Sequence, residues 1–130
     1  MSKEVVEIPV LSEGVRQLDV PVSLAVRANG FIFLAGIPGF DMKTGEIIGG
    51  DIETQTEASL KAVKHILESA GSSLEKIVSA TIYVTNVAHF PSINRVYKRY
   101  FMKDFPVRNF VVVGSMPHES DIAIECVAIE

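Results

Sequence analysis

The dipeptide Asn29-Gly30 stands between two apolar runs, Val22 to Ala28 and Phe31 to Gly36, and it constrains the fold more than any other local feature. Both central residues of a type I′ turn need a positive φ, which Asn and Gly adopt at least cost, so the two runs predict an antiparallel hairpin. The second run, Phe31-Ile32-Phe33-Leu34-Ala35, is apolar at consecutive positions, as is Val111-Val112-Val113. Successive side chains of a strand point to opposite faces, so such runs want burial on both sides of a sheet.

The remaining elements supply cover for one face. Asp41 to Gly45 predicts a turn, and Gly49-Gly50-Asp51 leads into a helical pattern with Asp51 as N-cap. Along it Ile52, Thr56, Leu60, Val63, Leu67 and Ala70 recur at three-to-four spacing. Glu53 and Glu57 stand early and Lys61, Lys64 and His65 later, as the macrodipole favours, and Gly71 ends the helix. Ile77 to Val84 is β-branched and alternating, a strand with Val78, Ala80, Ile82 and Val84 on one side. Phe90 to Phe101 predicts a second amphipathic helix, with Ile93, Tyr97 and Tyr100 on its apolar stripe and Arg95, Lys98 and Arg99 opposite.

Val107 to Val113 and Ile122 to Ile129, parted by the turn-like Gly114 to Asp121, predict a closing pair of strands joined as a hairpin. Val5 to Val10 is left open as a further strand. The order hairpin, helix, strand, helix, strand, strand gives an α+β fold in which right-handed crossovers place both helices on one face of a mixed sheet. Two helices cannot cover both faces. The open face therefore predicts packing against another copy of the chain, a homo-oligomer.

At 130 residues and 48% apolar composition the chain is expected to form a single domain, 1–130, with a real core. Its lone cysteine, Cys126, cannot close an intramolecular disulfide, which makes the cytoplasm the expected compartment. The first fourteen residues carry Glu4, Glu7 and Glu13 and lack the apolar run of a signal peptide. No apolar stretch nears the ~20 residues of a spanning helix, so no membrane partner is expected. Twelve Lys and Arg against sixteen Asp and Glu leave a net charge of −4, which argues against nucleic acid as a partner.

The P-loop, GxGxxG, GxSxG, HExxH and CxxC motifs do not occur. His65, His89 and His118 have no paired spacing that would hold zinc, and Cys126, inside an apolar strand, reads as a small buried hydrophobe. The basic group Arg95, Lys98, Arg99 and Lys103 reads mostly as a solvated face.

Arg108 is different, because it lies inside the apolar run Phe105 to Val113 and a buried unpaired charge costs several kcal/mol, so it must find a partner. That partner is either an internal carboxylate, with Glu125 the candidate on a neighbouring strand, or a ligand carboxylate held by two parallel hydrogen bonds; an exposed strand end is the third option. Glu125 poses the same question from the acidic side, since it interrupts Ile122-Ala123-Ile124 and Cys126-Val127-Ala128. It would be structural as a partner of Arg108, whereas near a pocket it could orient or deprotonate water.

The segments Ala25-Val26-Arg27-Ala28-Asn29-Gly30 with FIFLAG, TGEIIGGDIETQT (Thr44 to Thr56), AGSSLEKIVSATIYVTN (Ala70 to Asn86), FPSINRVYKRYF (Phe90 to Phe101), PVR (Pro106 to Arg108) and the closing IECVAI are specific in their order and spacing. Together they resemble the RidA/YjgF family of enamine/imine deaminases over nearly the whole chain. The resemblance implies a chorismate-mutase-like α+β fold, a homotrimer and ligand sites in clefts between subunits. It also implies hydrolysis of 2-imino acids and their enamine tautomers to 2-keto acids and ammonia, with no metal or organic cofactor. Arg108 matches the family's substrate-carboxylate arginine, while Asn94 and Gly36 match positions lining its pocket.

Three departures bear on the site. The family's tyrosine in its GPYSQAV-like segment falls on Val22, and the glutamine two places later on Leu24. The residue two after the arginine, often cysteine or another small residue, is Phe110, which alternation puts on the side of Arg108. In the closing segment the first family glutamate is Ala123, which leaves Glu125, on the same face, as the candidate for the water-activating role. These changes suggest a larger or more apolar substrate than 2-iminopropanoate. The alternative function is a non-catalytic trimeric binding protein that holds a small carboxylate metabolite or a protein partner.

Overall fold

The computed structural model describes residues 2–130. Strands β2 (Ala25–Ala28) and β3 (Phe31–Leu34) form the antiparallel hairpin, with Ala28 opposite Phe31 and both Asn29 (φ 56°) and Gly30 (φ 84°) in the left-handed region the turn demands. Helix α2 (Ile52–Ser69) starts at Asp51, whose carboxylate accepts the Thr54 amide at 2.8 Å, and Gly71 (φ 86°) follows its last turn. Thr56, Leu60, Val63, Leu67 and Ala70 of the expected stripe are buried, with Ile66 and Ala62 beside them. Strand β4 (Ile77–Val84) follows, then helix α3 (Phe90–Tyr97), strand β5 (Val107–Val112) and strand β6 (Ile122–Ile129).

Two further elements precede the hairpin. Strand β1 (Glu4–Val6) pairs antiparallel with β2, and a short helix α1 (Leu11–Gln17) buries Leu11, Gly14 and Val15. Helix α1 went unanticipated because seven residues with a glycine at the centre carry too little apolar periodicity to register. Gly14 is there for contact. A Cβ on it would stand 2.1 Å from the Gly45 carbonyl oxygen, in the turn that Asp41 organises by accepting the Lys43 amide.

The sheet has six strands in the order β1-β2-β3-β6-β4-β5. The last two strands of the sequence are therefore not the expected hairpin. Strand β5 runs parallel to β4 at the edge, because α3 carries the chain back before it re-enters the sheet, while β6 fills the slot between β3 and β4 and runs antiparallel to both. The gap left by the α2 crossover has two unsatisfied strand edges, and an apolar strand inserted there satisfies both at once.

Helix α3 is also shorter than expected. The ladder tightens after Tyr97, where the Arg99 and Tyr100 amides reach back only three residues. In β4 a register shift between Ile77 and Ser79 turns Val78 outward, 41% exposed, against the expected inward position. The core lies between the sheet and α2 and α3, built on Ile32, Leu34, Ala80, Ile82, Val84, Ile122, Ile124 and Cys126 from the strands and Leu60, Val63, Ile66, Ile93 and Val96 from the helices. On the other face Phe31 and Phe33 remain 39% and 44% exposed.

Candidate functional site

Register decides which side chains meet. In β5, Arg108 lies beside Ala80 and Phe110 beside Ile82, so both side chains point toward the helices. In β6, Glu125 pairs with Thr81 and Ala123 with Tyr83, so these point to the open face. Arg108 and Glu125 of one chain thus project from opposite sides of the sheet, with β4 between their strands, and the internal ion pair does not form.

Of the five arginines, Arg16, Arg27, Arg95 and Arg99 each face at least one carboxylate, whereas no carboxylate among the described residues pairs with Arg108. Aromatic rings surround it instead. Its guanidinium carbon is 4.9 Å from the Tyr97 ring centroid and 5.7 Å from that of Phe90. Phe110 meets Phe90 edge-on at 4.8 Å, and Phe101 stacks on Tyr97 at 4.4 Å. Burial raises the Tyr97 phenol above its ordinary pKa, with the Arg108 charge opposing. The Tyr97 hydroxyl is buried with no hydrogen-bond partner among the described residues.

Arg108 opens into a cleft of about 290 Å³ lined by Asn94, Tyr97, Lys98, Phe101, Phe105 and Pro106. Two cations and a side-chain amide thus converge on an apolar-walled recess, the chemistry that takes up a carboxylate. The expected neighbours Asn94 and Arg108 are together here, and Phe110 faces the same side, as alternation required. Phe90, Tyr97 and Lys98 were not singled out as site residues. Phe90 and Tyr97 are seven apart, so they share a helix face, but only the pairing of β5 with β4 brings that face over Arg108.

Val22 and Gly36 lie elsewhere, in a cleft of about 310 Å³ whose walls include Leu24, Phe40, Met116 and Ala123. A Cβ on Gly36 would sit 3.6 Å from that of Ala123. The sequence departures at 22, 24 and 123 therefore converge on one apolar surface. Glu125 shares a face with Ala123, and its carboxylate accepts the Tyr83 hydroxyl at 2.9 Å, a bond that raises the Tyr83 pKa. Cys126 is buried and its thiol is pushed up to about 12, chiefly by burial, which removes it as a nucleophile. No cluster of three or more metal-ligating side chains occurs among the described residues, and no helix among them is long and apolar enough to cross a membrane.

Comparison with known proteins gives a consistent result. Residues 18–130 match the family model described as endoribonuclease L-PSP. A RutC family protein of Pyrococcus horikoshii is 42% identical over 83% of this chain and 86% of its own length. The human 2-iminobutanoate/2-iminopropanoate deaminase is 33% identical over 85% of this chain and 80% of its own. Among solved structures, YyfA of the Rid protein family from Yersinia pestis superimposes with a TM-score of 0.88 at 32% identity, covering 99% of this chain and all of that one.

Proposed function

The chain belongs to the RidA/YjgF family, and we propose that it hydrolyses small 2-imino carboxylic acids, and their enamine tautomers, to 2-keto acids and ammonia. The observation that carries this reading is Arg108, a half-buried charge in the apolar run of β5 with no carboxylate among the described residues to neutralise it. A planar guanidinium in that state offers parallel N–H donors to a ligand carboxylate, while Asn94 and Lys98 supply further polar contacts beside it.

The carboxylate so anchored places the adjacent C=N carbon at a fixed distance from the protein. Water adds to that carbon as the C=N electron pair moves to nitrogen, which takes up a proton. The carbinolamine then collapses: its amino nitrogen takes up a second proton, the C–N bond breaks and ammonia leaves, and the hydroxyl gives up its proton, balancing the one taken up, as C=O forms. The imine carbon is already electrophilic, so positioning and charge stabilisation supply the acceleration, and no electron sink or metal is needed.

Glu125 is the candidate to orient the water, and Tyr83 holds its carboxylate. Because Arg108 and Glu125 project from opposite faces of one sheet, a site using both needs a second copy, as does one joining the Arg108 cleft to the apolar cleft of Val22 and Gly36. The half-exposed Phe31 and Phe33 on the open face favour such an assembly, a homotrimer with sites between subunits. A net charge of −4 supports a small-molecule partner over nucleic acid, and the buried free thiol fits a reducing compartment such as the cytoplasm.

The test generates 2-iminopropanoate and a bulkier imino acid in situ with an amino-acid oxidase and traps residual imine with semicarbazide. The wild-type chain accelerates imine loss, the bulkier substrate being favoured by the apolar cleft, and Arg108→Ala lowers kcat/KM by about 10- to 100-fold, the value of a charge-assisted bidentate contact. An Arg108→Ala variant as active as wild type overturns the assignment, and saturable carboxylate binding without turnover favours a binding protein.

A further inference from the structure

Resting on the reading of Arg108 as carboxylate anchor, we propose that Phe90, Tyr97 and Phe110 are positioning residues: an aromatic frame that fixes the guanidinium while leaving its N–H donors free. An arginine in a strand is ordinarily fixed by an acidic partner, which occupies the same donors a substrate would use and neutralises the charge that attracts it. The aromatic face solves both problems, because it attracts the cation through its quadrupole and takes no hydrogen bond from the guanidinium edge.

The frame is built from two elements, α3 and β5. Phe90 and Tyr97 come from one face of α3, at 5.7 and 4.9 Å from the guanidinium carbon. Tyr97 is itself backed by Phe101 at 4.4 Å, with rings inclined by 24°. Phe90 is 42% exposed and would swing freely if nothing held it. Phe110 holds it: two residues from Arg108 on the same side of β5, it presents its ring at 88° to that of Phe90, the edge-to-face arrangement that aromatic pairs favour. Phe110 therefore acts through Phe90 on the arginine.

The experiment compares Phe90→Leu, Phe90→Tyr, Phe110→Leu, Arg108→Ala and the double variant Phe90→Leu/Arg108→Ala, measuring imine hydrolysis and calorimetric binding of 2-oxobutanoate as a carboxylate probe. Thermal melts confirm that the variants fold. Phe90→Leu weakens probe binding and raises KM about fivefold to thirtyfold, with a smaller change in kcat, and Phe90→Tyr recovers most of the loss because it keeps the ring. Phe110→Leu shows the same KM-weighted pattern to a lesser degree. In the Arg108→Ala background, Phe90→Leu adds nothing, as expected of a residue that acts through the arginine.

Equal losses in both backgrounds, or unchanged probe binding in Phe90→Leu while Arg108→Ala abolishes it, overturns the frame and leaves the anchor standing. Arg108→Ala with undiminished probe binding overturns the anchor itself, and the frame with it.

Discussion

Cys126 lies in β6 beside Ala80, buried, and burial pushes its thiol up to about 12. A thiol whose folded pKa exceeds its unfolded value near 9 stays protonated and unreactive in the native chain. Its contribution to stability is complete below about pH 9 and is lost as the pH rises toward 12, because the unfolded chain releases the proton first. Iodoacetamide at pH 8 is therefore expected to leave Cys126 unlabelled in native protein and to label it fully in urea, with mass spectrometry as the readout; rapid native labelling contradicts the burial. Arg108 was equally legible from sequence, since a charge in an apolar strand is conspicuous wherever the strand lies. Its surroundings were not. Alternation within β5 predicts that Phe110 shares its side, but whether Glu125 or Tyr97 faces Arg108 depends on strand order, which spacing along the chain does not encode.

The hairpin and α2 were readable because local chemistry specifies them completely: two left-handed turn residues in one case, an N-cap, an apolar stripe and a terminal glycine in the other. The placement of β5 and β6 was not, because two short apolar runs with a turn between them look alike whether they pair with each other or with third strands. Helix α1 shows a third situation, in which the residue that hides the element from sequence is the one that seats it. Gly14→Ala sets two effects against each other. Helix propensity alone favours the alanine by about 1 kcal/mol. The new Cβ, however, would stand 2.1 Å from the Gly45 oxygen, a contact with backbone in a turn whose Gly45 is itself fixed at φ 77°. Overpacking of that kind costs about 1–3 kcal/mol, so the clash is expected to win and the urea midpoint to fall. A raised midpoint shows that α1 moves off the turn at little cost.

The two clefts set a requirement on the whole molecule. On the proposed reading the anionic end of a substrate sits with Arg108 and Asn94 on the helix side of the sheet, while Gly36, Val22 and Ala123 line a separate apolar cleft and Glu125 stands on the open face with Ala123. A site drawing on all of these needs a second copy of the chain, and assembly and activity are then expected to fail together. The open face gives the means to test this. Phe31 and Phe33, 39% and 44% exposed with ring centroids 6.2 Å apart, sit beside Val127 and Ile129 of β6, and covering such a patch removes apolar surface from water. Both positions open to solvent in a single chain, where a carboxylate stays hydrated, whereas in any assembly covering that face it would be desolvated without a partner. Phe31→Glu/Phe33→Glu is therefore expected to keep a cooperative melt while its light-scattering mass falls from three times the 14.2 kDa chain mass to one. Imine hydrolysis should fall with it, although Arg108 and the rings around it are untouched. A variant that is monomeric and fully active shows that one chain holds a complete site, and a wild-type chain already monomeric at micromolar concentration contradicts the argument from the apolar open face.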